Sequence, residues 1–182
     1  WSSDVCSSDL TNKGLASMGY GLAGAIGAQI SNGRRTVLIE GDGGFLQNLQ
    51  ELGTVAVNQL NLKVIIFANN GYASIRTTQR NYFSGNYVGC DQNTGLGFPD
   101  WKLLAAAYGL NFLSLNPSEN WAAQLSSYLE SQTPSVILVP IDPEQTYWPK
   151  ITSRITENGS MESNPLHMMS PELPSEIDRK ST

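Results

Sequence analysis

Asp42 and Asn70 are the two side chains in this sequence whose types and setting suit a hard cation. Asp42 lies in the turn Gly41-Asp42-Gly43-Gly44, and Asn69-Asn70 follows one expected helix and one expected strand later. A carboxylate and an amide oxygen are hard ligands. They fit Mg²⁺, which takes oxygen donors and is readily shared with the phosphates of a bound ligand. Taken alone, a Gly-Asp-Gly turn or an Asn-Asn pair is ordinary loop chemistry, because glycine supplies positive φ and aspartate caps its neighbours. The combination of spacing and strand–turn–helix context is what points to a site.

The elements around these residues explain how they would meet. Thr36-Val37-Leu38-Ile39 is a short apolar run that predicts a buried parallel strand over 36–40, ending on the glycine turn. A helix is expected over 45–58, so Asp42 stands where the turn opens a helix N-terminus, a favourable place for anions. The run Lys63 to Ala68 predicts a second strand that delivers Asn69 and Asn70 at its carboxyl end. In an open parallel sheet the carboxyl ends of strands face one ligand crevice.

Further along, a short helix is expected to start near Tyr72, and residues 81–100 read as a glycine-rich loop. Asp100 is placed to N-cap a helix over Trp101–Tyr108. A strand at 111–115, an amphipathic helix at 118–131 and a last strand at 135–139 complete an alternating pattern. Such alternation predicts an α/β fold, a parallel sheet with helices on both faces. Gly19 to Ile30 reads as a weak helix rich in small residues, expected to pack closely against a sheet or cofactor.

These residues resemble thiamine-diphosphate-dependent enzymes of the acetolactate synthase group, whose cofactor motif is Gly-Asp-Gly followed by Asn-Asn. Phe45, Gln50-Glu51-Leu52 and Met18-Gly19-Tyr20-Gly21 match as well. The resemblance runs from about Thr11 into the 160s. It implies a thiamine-diphosphate-binding fold, the diphosphate-binding domain, shortened at its N-terminus. It implies that Asp42, the Asn70 side chain and the Tyr72 carbonyl would ligate Mg²⁺. Gly41, Gly43, Gly44 and Ala73 would line the diphosphate, and Met18 would prop the cofactor in a bent shape.

The same resemblance implies decarboxylation of a 2-oxo acid and carbon–carbon ligation, with the cofactor as electron sink. The activating glutamate would lie on a pyrimidine-binding domain, in cis and from a second subunit, so an intact protein would be a homodimer or homotetramer. No such domain is recognised here, and the chain is expected to be inactive alone. Glu51 reads as a structural carboxylate instead. The alternative is a non-catalytic small subunit contributing only the diphosphate site to a partner. Arg76 lies six residues beyond Asn70. It would hold an acceptor's phosphate or carboxylate, or stand as an exposed helix arginine. The segment Ile151–Ser160 resembles acetolactate-synthase-like proteins of bacterial surface-sugar pathways, which suggests a keto-sugar acceptor.

Composition narrows the field. The chain has 182 residues, one domain in size, with 40% hydrophobic and 15% charged residues, as expected of a globular α/β protein. A net charge of −5 without a basic cluster argues against nucleic acid. No apolar run approaches a membrane span. The two cysteines have no Cys-x-x-Cys spacing, and a reducing, cytoplasmic setting is the default. Gly19-Tyr20-Gly21-Leu22-Ala23-Gly24 fits G-x-G-x-x-G with Glu40 downstream, but Asn12 to Met18 is poor strand material. A dinucleotide-binding reading is therefore set aside.

The ends differ from the middle. Trp1–Leu10 repeats Ser-Ser-Asp without periodicity and reads as a non-native scar or, alternatively, a natural disordered tail. The cofactor-binding domain is expected over 11–140. Residues 141–182 are proline-rich and read as a largely irregular segment. Tyr147, Trp148 and Pro149 could anchor an active-site cover there, or the segment is simply solvent-exposed. His167, the lone histidine, is assigned no role.

Overall fold

Strand β1 (Thr36–Gly41) buries Leu38 and exposes Val37 and Ile39, whereas β2 (Leu62–Ala68) is buried along nearly its whole length. That contrast separates a half-covered edge strand from a central strand covered on both faces. The computed structural model describes residues 10–11, 16–117, 119–145, 150–151, 153–165 and 169–170. Residues 1–9, together with Tyr147, Trp148, Pro149 and His167, lie outside them.

β3 (Asn111–Ser114) and β4 (Ser135–Pro140) complete a four-stranded sheet of order β1-β2-β4-β3, with every pairing parallel. Parallel neighbours need a crossover, and helices supply it. On one face, α1 (Tyr20–Asn32), α3 (Leu52–Val57) and α5 (Trp101–Ala107) pack Leu22, Ile26, Leu52, Val55, Trp101 and Ala105 against Leu38, Val64, Ile66 and Val136. On the other, α6 (Trp121–Glu130) sets Leu125, Tyr128 and Leu129 against Ile65 and Ile137. The expected parallel sheet with helices on both faces is the fold observed. Each fully buried aliphatic side chain contributes about 1.5–3 kcal/mol to it.

The expected single helix over 45–58 is instead three pieces. A four-residue turn, α2 (Asp42–Phe45), runs into a 3₁₀ segment (Leu46–Glu51) and then α3. The break sits at Asn48, whose φ of −147° is not helical. Its side chain leaves the helix to donate to the Gly19 carbonyl at 3.2 Å. A tertiary hydrogen bond has overridden local helical preference. Elsewhere local signals hold. Asp100 caps α5 by accepting the Leu103 N–H at 2.9 Å, and Gly33 ends α1 with a left-handed φ of 63°. The amphipathic helix is shorter than expected, beginning at Trp121.

Lys63 is fully buried at the amino end of β2, and its ammonium donates to the Thr133 carbonyl. Burial, aided by the charge of Arg35, lowers its proton affinity below the ordinary lysine range.

The chain divides into two compact units between Pro143 and Glu144. The second contains two antiparallel pairs among its described residues. β5 (Lys150–Ile151) pairs with β8 (Met169–Ser170), and β6 (Ser153–Ile155) pairs with β7 (Met161–Ser163).

Candidate functional site

The parallel register sets Gly41 of β1 opposite Phe67 of β2. The turns that leave these strands are therefore neighbours, although 28 residues of sequence separate Asp42 from Asn70. Asp42 is buried at 1% exposure, with its carboxylate held by backbone donors. Gly43 N–H donates to Oδ1 and Asn70 N–H to Oδ2, each at 2.7 Å. Burial raises the proton affinity of this carboxyl, and the backbone N–H groups around it pull the other way.

Asn70 adopts a left-handed φ of 57°, a conformation asparagine tolerates better than most side chains. Asn69 Oδ1 accepts the Gly71 N–H at 3.2 Å and tightens the same turn. Tyr72 then caps α4 (Ala73–Tyr82), and its carbonyl accepts the Arg76 N–H at 2.9 Å. A carbonyl oxygen has a second lone pair, so this bond is compatible with a cation ligand.

Gly43 is required here by contact. A Cβ on it would stand 2.4 Å from the Tyr72 ring. The Tyr72 ring is therefore packed against the glycine turn, and its hydroxyl accepts from Gln47 Nε2 at 3.0 Å. The far side of the Asn70 turn is fastened by the segment after α4. Tyr72 N–H donates to the Cys90 carbonyl at 2.8 Å, and Gly71 bridges Asp91. Asp91 and Thr94 form a reciprocal capping box that shapes this fastening segment.

The residues expected from sequence thus fall into groups. Asp42, Gly43, Asn70 and Tyr72 are brought into one hydrogen-bonded and packed cluster. Gly41 precedes it at the end of β1, exposed, and Gly44 follows it, half-buried against the Glu40 carboxyl. Ala73 opens α4 beside Tyr72. Met18 is 47% exposed in the turn that leads into α1. Arg76 is buried at 7% exposure, and its guanidinium donates to the Pro143 carbonyl where the chain leaves β4. Glu51 accepts from the Thr54 hydroxyl at 2.8 Å, a local structural bond.

Sequence reading passed over Glu40, Gln47, Asn48, Cys90, Asp91 and Thr94 as parts of the site. Asp91-Gln92-Asn93-Thr94 carried a legible capping signal. Asn48, a poor helix former in an expected helix, carried a weaker one. Gln47 and Glu40 carried none.

Among the described residues, no group of three His, Cys, Asp or Glu is placed to hold a metal. A cation at Asp42 must therefore draw on one carboxylate, neutral oxygens and a ligand's phosphates. That donor set fits Mg²⁺ shared with a diphosphate. Among the described residues, no helix is long and apolar enough to cross a membrane.

Residues 4–139 match the family described as thiamine pyrophosphate enzyme, C-terminal TPP binding domain. The chain is 36% identical over 143 residues to acetolactate synthase isozyme 2 large subunit of Escherichia coli (strain K12), covering 78% of this chain and 26% of that protein. It is 32% identical over 165 residues to the acetolactate synthase large subunit of Parasynechococcus marenigrum (strain WH8102), covering 90% and 26%. It is 34% identical over 143 residues to the E. coli isozyme 1 large subunit, covering 78% and 25%. The chain therefore spans about a quarter of the length of these curated relatives.

Proposed function

The chain belongs to the thiamine pyrophosphate enzyme family, through its C-terminal cofactor-binding domain, and on that premise we propose that it holds thiamine diphosphate and Mg²⁺ for an acetolactate synthase-like enzyme acting on 2-oxo acids. The observation that carries this reading is the Asp42 carboxylate bonded to the Asn70 backbone at 2.7 Å. It puts a fixed carboxylate beside the Asn70 turn. Asp42, the Asn70 side chain and the Tyr72 carbonyl would ligate Mg²⁺. The backbone of Gly41, Gly43, Gly44 and Ala73 would line the diphosphate, and Met18 would stand against the organic part of the cofactor.

When bound, thiamine diphosphate supplies the nucleophilic carbon and electron sink that 2-oxo acid decarboxylation needs. This chain's residues bind and orient it. The carboxylate that activates the aminopyrimidine would come from a pyrimidine-binding domain, in cis and from a second subunit of a homodimer or homotetramer in the cytoplasm. The 182-residue chain would then bind cofactor without turnover.

Titration calorimetry with thiamine diphosphate, with and without Mg²⁺, tests the reading. Mg²⁺-dependent binding that Asp42→Ala abolishes supports it, and binding indifferent to Mg²⁺ or to that substitution counts against the ligand assignment.

The acceptor is proposed to be a keto-sugar or similar carbonyl compound, with Arg76 gripping its charged group. What supports this is the position of Arg76 on α4, just past the Asn70 turn, and the surface-sugar resemblance of residues 151–160. The Pro143 carbonyl already engages the guanidinium, so an acceptor would share it. Product analysis of the intact enzyme with pyruvate and a panel of acceptors decides. Acetolactate as the sole product would remove the keto-sugar reading. An Arg76→Lys enzyme with unchanged kcat/KM for charged acceptors would remove the role of Arg76.

A further inference from the structure

The 3₁₀ segment Leu46–Glu51 is tied to two separate turns of the site by consecutive side chains. Asn48 Nδ2 donates to the Gly19 carbonyl at 3.2 Å, which fixes the Gly19–Tyr20 peptide, one residue beyond Met18. Gln47 Nε2 donates to the Tyr72 hydroxyl at 3.0 Å, which fixes the ring packed on Gly43. The contact with Gly19 is close as well as polar. Gly19 is buried at a left-handed φ of 82°, and a Cβ there would stand 2.9 Å from Gln47 Cβ and 3.3 Å from Asn48 Cβ.

From the other side, the Glu40 carboxyl reaches the same turn. Its Oε2 is buried without a close hydrogen-bond partner among the described residues, beside the Gly19 backbone N–H that supports the carboxyl, and lies where a Cβ on Gly21 would come within 2.5 Å. The Gly19–Gly21 segment is therefore held between the end of β1 and the 3₁₀ segment. The helix break falls at the same residue, Asn48. The Asn48 backbone, at φ −147°, departs from the helix at the residue whose amide reaches Gly19.

We propose that Asn48 is a positioning residue for the cofactor, setting the Met18 turn at a fixed distance from the Asp42–Asn70 diphosphate turns through the Gly19 carbonyl. This rests on the reading that the Met18, Gly43 and Tyr72 segments flank bound thiamine diphosphate. Among the described residues the Asn48 side chain hydrogen-bonds to Gly19 and Gln50, not to the expected metal ligands or the glycine turn. Its loss therefore separates the two ends of the ligand. The organic end loses its seat, while the diphosphate end keeps its own.

The test compares two probes on the 182-residue chain, thiamine diphosphate and inorganic pyrophosphate, each with Mg²⁺, by titration calorimetry. Asn48→Ala is expected to weaken thiamine diphosphate by about tenfold or more, in line with the loss of an outer-sphere orienting bond, and to leave pyrophosphate unchanged. Asn48→Leu keeps about the side-chain volume without the amide donor or a new charge, and it should show the same selective loss. Equal weakening of both probes, or of neither, overturns the proposal.

Hydrogen exchange on the unsubstituted chain gives a readout that no folding defect can obscure. Thiamine diphosphate should protect the amides of 18–22 and 46–50 together, whereas pyrophosphate should protect only those of 42–44 and 69–72. Protection of 18–22 without 46–50 overturns the proposal. A wild-type chain that binds neither probe overturns the cofactor reading, and this inference with it.

Discussion

Asp42 Oδ2 accepts the backbone N–H of Asn70 at 2.7 Å, joining two turns that the sequence separates by 28 residues. The bond exists because β1 and β2 are parallel and in register, so both turns open at the same carboxyl end of the sheet. It holds the carboxylate in place, which would lower the cost of ordering the proposed cation site on binding.

Asp42→Ala should therefore do two things at once. Removing the acceptor leaves the Gly43 N–H unpaired in a buried place and the Asn70 N–H in a partly buried one, costing about 1–3 kcal/mol of stability. Loss of the charged ligand should weaken Mg²⁺-dependent thiamine diphosphate binding by at least about 100-fold, or about 2.8 kcal/mol. Denaturant titration reads the first effect and calorimetry the second. A variant that binds normally would refute the assignment.

Gly43→Ala should force the Tyr72 ring off the turn, since the new Cβ would sit 2.4 Å from ring carbons. The expected cost is about 1–3 kcal/mol from overpacking. Combined with Tyr72→Leu, part of that cost should disappear, because the two sites are in contact and their effects couple. Thermal unfolding of the double-mutant cycle measures it, and strict additivity would contradict the packing described.

Asp91→Ala removes the capping box beyond the Tyr72 N–H to Cys90 carbonyl bond. The loss should be about 1 kcal/mol. Amide exchange at Gly71 and Tyr72 should speed up while exchange in β2 stays slow. Unchanged exchange at both amides would mean that the 90–94 segment does not fasten the Asn70 turn.

Lys63 predicts a pH effect remote from the site. Its folded proton affinity is lowered relative to the ordinary value of 10.5. The unfolded chain therefore binds more protons than the folded one between the two values, and stability rises with pH through that window. Below it the lysine is charged in both states, and the burial penalty is present in full. Lys63→Met should flatten this alkaline rise in denaturant titrations between neutral pH and about pH 10.5. A slope unchanged by the substitution would place its origin elsewhere.

The local elements were readable from residue types. The apolar runs at 36–40 and 63–68 gave strands close to β1 and β2, and Asp100 marked the start of α5. Gly-Asp-Gly and Asn-Asn marked the two turns that meet. What failed was the helix over 45–58, because the residue that breaks it, Asn48, bonds to Gly19, far away in sequence. Propensity acts within a few residues, whereas that hydrogen bond exists only once α1 lies against β1.

By itself, then, the sequence determined the two turns that carry Asp42 and Asn70 and the strands that end in them, since hydrophobic period and turn chemistry are local properties. Tertiary structure alone decided the rest. Strand register brought the Asp42 carboxylate to the Asn70 backbone. Packing laid the Tyr72 ring on Gly43, and the Asn48 amide went to Gly19. These are contacts between segments distant in the chain, selected by how the helices fit the sheet and by the need to satisfy buried polar groups.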